Sequence, residues 1–456
     1  MHDTNPGFEH RLLLGWINDN SSVPLAGKRW PIIDVGERTI ADYGEYLRIA
    51  RQYGYAGITL WGLCVSHAWP VPLQDCLTPD RRRVIDFILR ESERLGIKVL
   101  MGLGVYSWGF EQIIRHDPST ARDEGRMSWG KFRPDNGVVM CYHSPSARDW
   151  MRKVIDFCVT EVGTHGFGFQ SGDQGRCYCR QCREISDMEH HARLIGETAA
   201  YVRDRYPEQL LGMSAWGIDL GKDSDLEMLK RMSRQLCFMT DVTDQLARAG
   251  EGFRRSLVEQ LPCALGSLGG TVVVPPQRWE RDRWFLPHAA LTARSIQALY
   301  ADGGRAFEFF MGPLANPQYN LMTRFVGLML RNPRQEFRIA LRQVVEDVYS
   351  PRSSVAADDI VQWLLDAEQA YFARIPGPIT GEFDFEPLMG ETAGEPIYLT
   401  RLSKEALREY EQDMERLAGR LPGLASECAR PEELHKIGRC LRNVVDDIRH
   451  RLVAMV

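Results

Sequence analysis

The sequence predicts a (β/α)8 TIM barrel, an α/β fold, followed by an all-α C-terminal domain. Three observations predict it. An amphipathic helix, a glycine and a short apolar strand recur in that order along the first two thirds of the chain. The strands are near-continuous apolar runs, as expected when both faces of a sheet are buried. After Pro313 the strands stop and only helical periodicity continues. Parallel strands need crossovers long enough to hold a helix, so the alternation implies a parallel sheet. Eight units over roughly 300 residues suit a closed barrel. No G-x-G-x-x-G opens a helix after the first strand, which argues against an open dinucleotide-binding sheet.

The strand RLLLGWIN comes first. In the helix TIADYGEYLRIARQYG, Ile40, Tyr43, Leu47 and Ala50 share one face, Gly54 closes it, and the strand GITLWG follows. RRRVIDFILRESERLG leads into IKVLMGLGVY, and SPSARDWMRKVIDFCVTEVG leads into GFGFQSGD. A cysteine-bearing segment and a helix to about Tyr206 precede LLGMSAWG. DLEMLKRMSRQ then leads into LCFMTDVTD, GFRRSLVEQ into PCALGSLGG, and WFLPHAALTARSIQALYADG into GRAFEFFMGP. NLMTRFVGLMLRN serves as the last barrel helix, so the barrel takes residues 1–330 and the helical domain 331–456. The latter holds QEFRIALRQVVEDVY, DDIVQWLLDAEQAYFARI, SKEALREYEQDMERLAGRL and PEELHKIGRCLRNVVDDIRHRLVAMV. A Gly- and Pro-rich loop, PGPITGEFDFEPLMGETAGEPIY, separates the middle two. Covering the barrel flank, or forming a homo-oligomer interface, is the expected role of these helices.

The net charge of -5 is spread along the 456 residues, which leaves no footprint for nucleic acid or an anionic membrane. No apolar run approaches the ~20 residues of a membrane span. The N-terminus lacks the basic and apolar regions of a signal peptide, so a cytoplasmic protein with reduced cysteines is expected.

In a barrel, chemistry belongs at the C-terminal ends of the strands. Those ends carry Trp61 with His67 beyond it, Tyr106 and Trp108, Gln170 and Asp173, Trp216, Asp241 and Asp244, and Glu308. Asn316 follows the eighth strand. Flat apolar rings suit the C–H faces of a sugar. Glycoside hydrolysis needs two carboxylates across a small gap, one to protonate the leaving oxygen and one to activate water or attack. Asp241 and Asp244 could equally cap a helix or form Asx turns, and Asp173, between glycines, could serve a turn. Glu308 lies within FEFF, where an unpartnered carboxylate is costly.

Cys177, Cys179 and Cys182 are spaced C-x-C-x-x-C. Structural zinc takes four ligands, so Cys141 or His143 would have to complete a set. Reduced cysteines that merely shape a loop are the competing reading.

GFGFQSGDQGRCYCRQC and the preceding VVMCYHSPSARDWMRKVIDF resemble segments of TIM-barrel glycoside hydrolases, the α-glucuronidase-like and β-hexosaminidase-like barrels and their relatives with a cysteine-rich loop after the fourth strand. The resemblance implies the barrel and a sugar-processing activity. Hexosaminidase-type barrels carry an adjacent Asp-Glu pair at this strand end, whereas this chain reads Gln170-Ser171-Gly172-Asp173.

The expectation is a glycoside hydrolase acting on an oligosaccharide or glycoside without a cofactor in its chemistry. Asp173 is the general acid and Asp241 or Glu308 the second carboxylate. Trp61, Tyr106, Trp108 and Trp216 line the sugar subsites, with His67, Gln170, Asp244 and Asn316 as polar contacts. Two alternatives stand beside it: a metal-dependent sugar isomerase or lyase using His67, Asp241, Asp244 and Glu308, and a non-catalytic carbohydrate-binding protein.

Overall fold

A computed structural model describes residues 7–16, 36–65, 68–122, 139–171, 176–215, 223–240, 253–269, 287–312, 314, 317–373, 399 and 402–455. Eight parallel strands close into a barrel in sequence order. They are β1 (His10–Trp16), β2 (Gly57–Trp61), β3 (Lys98–Gly104), β4 (Gly166–Gln170), β5 (Leu210–Ser214), β6 (Phe238–Thr240), β7 (Ala264–Gly269) and β8 (Ala306–Phe310). β8 closes on β1 with Leu12 opposite Glu308.

Period-two alternation sorts each strand into an outward and an inward row. Ile58, Leu60, Val99, Met101, Phe167, Phe169, Leu211, Phe307 and Phe309 face outward into one continuous core beneath the helices. Leu12, Leu100, Phe238 and Ala306 fill the N-terminal end of the interior. Above them the inward row is rich in glycine, for a steric reason. A Cβ on Gly212 would sit 1.9 Å from the Phe238 ring, and one on Gly168 2.5 Å from Thr59 Cγ2. Side chains from one strand therefore occupy space that glycine vacates on another. This explains GFGFQ, whose phenylalanines stack outward at 5.6 Å while its glycines admit Thr59 and the neighbouring backbone.

The helices are α1 (Glu37–Tyr53), α2 (Pro79–Leu95), α3 (Glu111–His116), α4 (Pro145–Phe157), α5 (Arg180–Arg183), α6 (Asp187–Arg205), α7 (Asp223–Ser233), α8 (Phe253–Gln260), α9 (Ala289–Ala301) and α10 (Pro317–Arg331). Thr78, Ser144 and Ser186 cap α2, α4 and α6 with side-chain oxygens, the first two followed by proline at the first helical position. Gly54 and Gly96 end α1 and α2 in the left-handed region, at φ 87° and 69°. Phe8 donates its N–H to Leu330 O, which ties the chain start to α10.

Four helices follow the barrel: α11 (Phe337–Tyr349), α12 (Ser354–Phe372), α13 (Lys404–Ser426) and α14 (Glu432–Ala454). Trp363, fully buried, donates from Nε1 to Leu417 O at 3.1 Å and locks α12 to α13. Glu368 on α12 accepts the N–H groups of Ala290 and Leu291 at 2.9 and 2.7 Å. A carboxylate at the N-terminus of α9 thus fastens the helical part to the barrel. Among the described residues, no helix is long and apolar enough to cross a membrane.

Candidate active site

At the C-terminal mouth, the ends of β2, β3 and β4 build an aromatic shelf. Trp61, the last residue of β2, leans over β3, where a Cβ on Gly102 would lie 2.5 Å from its ring. A Cβ on Gly104 would lie 2.5 Å from the Trp108 Cβ, so this glycine lets the chain beyond β3 turn back close to the strand. The two indoles meet edge to face, 5.8 Å apart at 78°. Only the glycines of MGLG allow both rings to lie so close to the barrel wall. Trp108 keeps part of its surface open, and so does Gln170 at the end of β4.

Tyr106 takes a left-handed backbone, φ 63°, which is costly for a residue with a Cβ. The conformation turns its carbonyl to the N–H of Met140 and its ring against Tyr142, 6.2 Å away. The Tyr106 side chain is buried, and burial pushes its hydroxyl pKa up. Tyr142 in turn donates to Glu197 on α6, with its own pKa pushed up to about 12, chiefly by burial.

Glu308 lies in the middle of β8, two residues short of its end, with its side chain turned into the barrel and 2% exposed. The sequence reading put it at the strand end. The actual strand runs on to Phe310 because FEFF alternates inward and outward without a break. Its two carboxyl oxygens each accept a hydroxyl at 2.7 Å, one from Thr59 on β2 and one from Thr240 on β6. Burial raises its pKa, and the hydroxyl donors offset this only in part. Thr59 and Thr240 escaped the sequence reading. The signal was a threonine in each of two strands that are otherwise apolar.

Ser171, just beyond β4, is buried, with Oγ 2.9 Å from His191 Nδ1 on α6. Burial lowers the His191 pKa to about 4 and that of its neighbour His190 to about 3, so both rings are neutral at ordinary pH. Neither histidine was picked out from sequence, where HH inside a helix reads as packing.

Beside this lies a knot of four buried thiols, Cys141, Cys177, Cys179 and Cys182, whose sulfurs all fall within 4.8 Å of one another. Cys141 stands just ahead of the N-cap of α4, and the other three lie between the end of β4 and α6. His143 is not in this sulfur cluster.

Of the remaining sequence-derived candidates, His67, Asp173, Trp216, Asp241, Asp244 and Asn316 lie outside the described residues. In the chain, Asp173 comes three positions after the last residue of β4 and Asp241 one after the last of β6.

No family model matches the sequence, and no curated protein matches it either. Solved structures do share its fold. A family 138 glycoside hydrolase targeting pectin rhamnogalacturonan II superimposes with a TM-score of 0.60 at 11% identity, over 98% of this chain and 57% of that one. A family 115 4-O-methyl-α-glucuronidase with specificity for decorated arabinogalactans gives 0.56 at 13% identity, over 98% and 55%. A family 89 enzyme from Clostridium perfringens, solved with its substrate GlcNAc-α-1,4-galactose, gives 0.54 at 13% identity, over 99% and 50%. This chain spans little more than half the length of the solved chains it matches. The resemblance to TIM-barrel glycoside hydrolases is therefore one of fold, and it takes in the helical part as well as the barrel.

Proposed function

We propose that this chain is a carbohydrate-active enzyme, a glycoside hydrolase with its subsites at the barrel mouth. One observation carries the reading: the indoles of Trp61, at the end of β2, and Trp108, just beyond β3, form a shelf at the C-terminal rim, and β3 is the neighbour of the strand that leads to Asp173. That face is where TIM barrels place their chemistry, and such rings are what a protein offers to a sugar ring. The barrels of similar fold named above act on pectin, decorated arabinogalactans and GlcNAc-α-1,4-galactose, which supports the class and leaves the sugar open.

In this proposal Asp173 is the general acid, protonating the glycosidic oxygen as the bond to the anomeric carbon breaks. A general acid in this role has to hold its proton near neutral pH until it passes to the leaving oxygen. Asp241 is the second carboxylate, activating water or attacking the anomeric carbon. Glu308 is a positioning group. Two percent exposed and committed to two hydroxyls, it holds Thr240, the residue that precedes Asp241. Trp61, Trp108 and Gln170 form the sugar platform, whereas Tyr106 is buried against Tyr142.

The test is release of product from a panel of aryl glycosides and oligosaccharides by the purified protein. Once a substrate is found, Asp173→Asn should lower turnover at least ~100-fold with the circular dichroism spectrum unchanged. Near-normal turnover in that variant would remove Asp173 from the mechanism.

A further inference from the structure

We propose that Cys141, Cys177, Cys179 and Cys182 form a tetrathiolate zinc site that clamps together the chain segments leaving β3 and β4. The geometry is that of a closed structural site. Four sulfurs around one zinc at ~2.3 Å stand about 3.8 Å apart in a regular tetrahedron. Cys141 Sγ lies 3.7 Å from Cys179 Sγ and 4.0 Å from Cys182 Sγ, and no pair in the set exceeds 4.8 Å. A disulfide would need ~2.05 Å, so none of these sulfurs is bonded to another, and the cluster is too tight for more than one metal centre.

The surroundings suit the charge. Four thiolates and one Zn²⁺ leave a net charge of two minus in a buried place, with the thiol protons released to solvent on binding. Arg176, next to Cys177 in the chain and 4% exposed, brings a guanidinium to this spot, where it donates to Cys182 O and Ile185 O and pairs through Nη1 with Asp187 at 2.6 Å. Its Nε finds no hydrogen-bond partner among the described residues. His190, 1% exposed and within electrostatic reach of both Cys141 and Arg176, likewise leaves both ring nitrogens unpartnered there. The N–H of Cys179 points at Cys177 Sγ, 3.5 Å away, as backbone amides do around a metal-bound thiolate.

The consequence is local order at the mouth. The Met140 N–H is bonded to Tyr106 O, and the neighbouring Cys141 would be a zinc ligand. On the other side, Ser171 is held by His191, and Cys177 would be held by the metal. The zinc is distant in role from the reaction, and this inference stands whether or not the hydrolase reading does.

Elemental analysis of the full-length protein purified without chelator should find one zinc per chain and no iron. Reduced protein stripped of metal and loaded with Co²⁺ should show a thiolate-to-cobalt charge-transfer band and the intense visible bands of a tetrahedral site. Cys141→Ser should lose the zinc, whereas Cys64→Ser, in the core away from the cluster, should keep it. Removing the zinc from wild type should lower the melting temperature by about 5 °C or more. Less than about a tenth of a zinc per chain after reconstitution, stoichiometric iron in its place, or full zinc in Cys141→Ser would each overturn the proposal. The cobalt spectrum of wild type decides the matter even if the cysteine variant fails to fold.

Discussion

Replacing Glu308 by glutamine should leave the barrel folded and flatten the dependence of its stability on pH. The wild-type carboxyl is 2% exposed and meets two hydroxyls at 2.7 Å, and burial is the largest influence on it, raising its pKa above the ordinary 4.5. Below pH 4.5 the folded and unfolded chains both hold the proton, and its contribution to stability is complete. Above that, the unfolded chain releases a proton that the folded chain keeps. Stability then falls with rising pH, by up to about 1.4 kcal/mol per pH unit, until the folded-state carboxyl ionises as well. Glutamine has no proton to lose, and its amide can accept from one threonine and donate to the other. The variant should therefore gain on wild type from about pH 5 upward and then level off. Urea midpoints of both proteins at several pH values between about 4.5 and 8 would measure this. Parallel curves would refute the reasoning, since they would mean that Glu308 has the same affinity for its proton folded and unfolded. The same variant separates two roles in catalysis. As a positioning group, Glu308→Gln should keep turnover within about tenfold, whereas a loss beyond ~100-fold would mark it as a reacting carboxylate.

The contrasting variant Glu308→Leu should cost about 1–3 kcal/mol, read from the same urea midpoints, because the Thr59 hydroxyl loses its acceptor inside the barrel. Thr240 should suffer less, having Met213 O at 3.4 Å as a second acceptor. Gly212→Ala should destabilise by about 1–3 kcal/mol, since the added carbon would overlap the Phe238 ring, and a thermal scan would show it. Trp108→Ala should lower the melting temperature by a few degrees, since the half-buried indole packs on Trp61, and reduce kcat/KM for the substrate at least tenfold, roughly the worth of one aromatic contact in a subsite. An unchanged kcat/KM would take Trp108 off the sugar platform. Glu368→Gln should weaken the capping of α9, lowering stability by about 1 kcal/mol in the urea transition at neutral pH.

The barrel and its helical extension were legible in the sequence because both depend on local periodicity. Strand and helix rows repeat at two and 3.6 residues, and their alternation leaves few topologies open. The aromatic residues at the ends of β2 and β3 were legible for the same reason, since the pattern shows where a strand stops. What the sequence could not show was contact between distant positions. Thr59 and Glu308, 249 residues apart, meet only because β8 closes on β1 and the interior is a single packed column. The choice of Cys141 over His143 as partner to the three clustered cysteines was likewise left open by spacing. It was decided by the packing of the segment after β3 against that after β4, which brings sulfurs 38 and 41 positions apart within 4.0 Å. Even the glycines of GFGFQ and MGLG, conspicuous in sequence, gain their meaning from other strands: Thr59 of β2 fills the space at Gly168, and Trp61 of β2 the space at Gly102. Local pattern determined the elements and their order; closure of the ring decided which side chains share the interior, because only closure brings distant strands face to face.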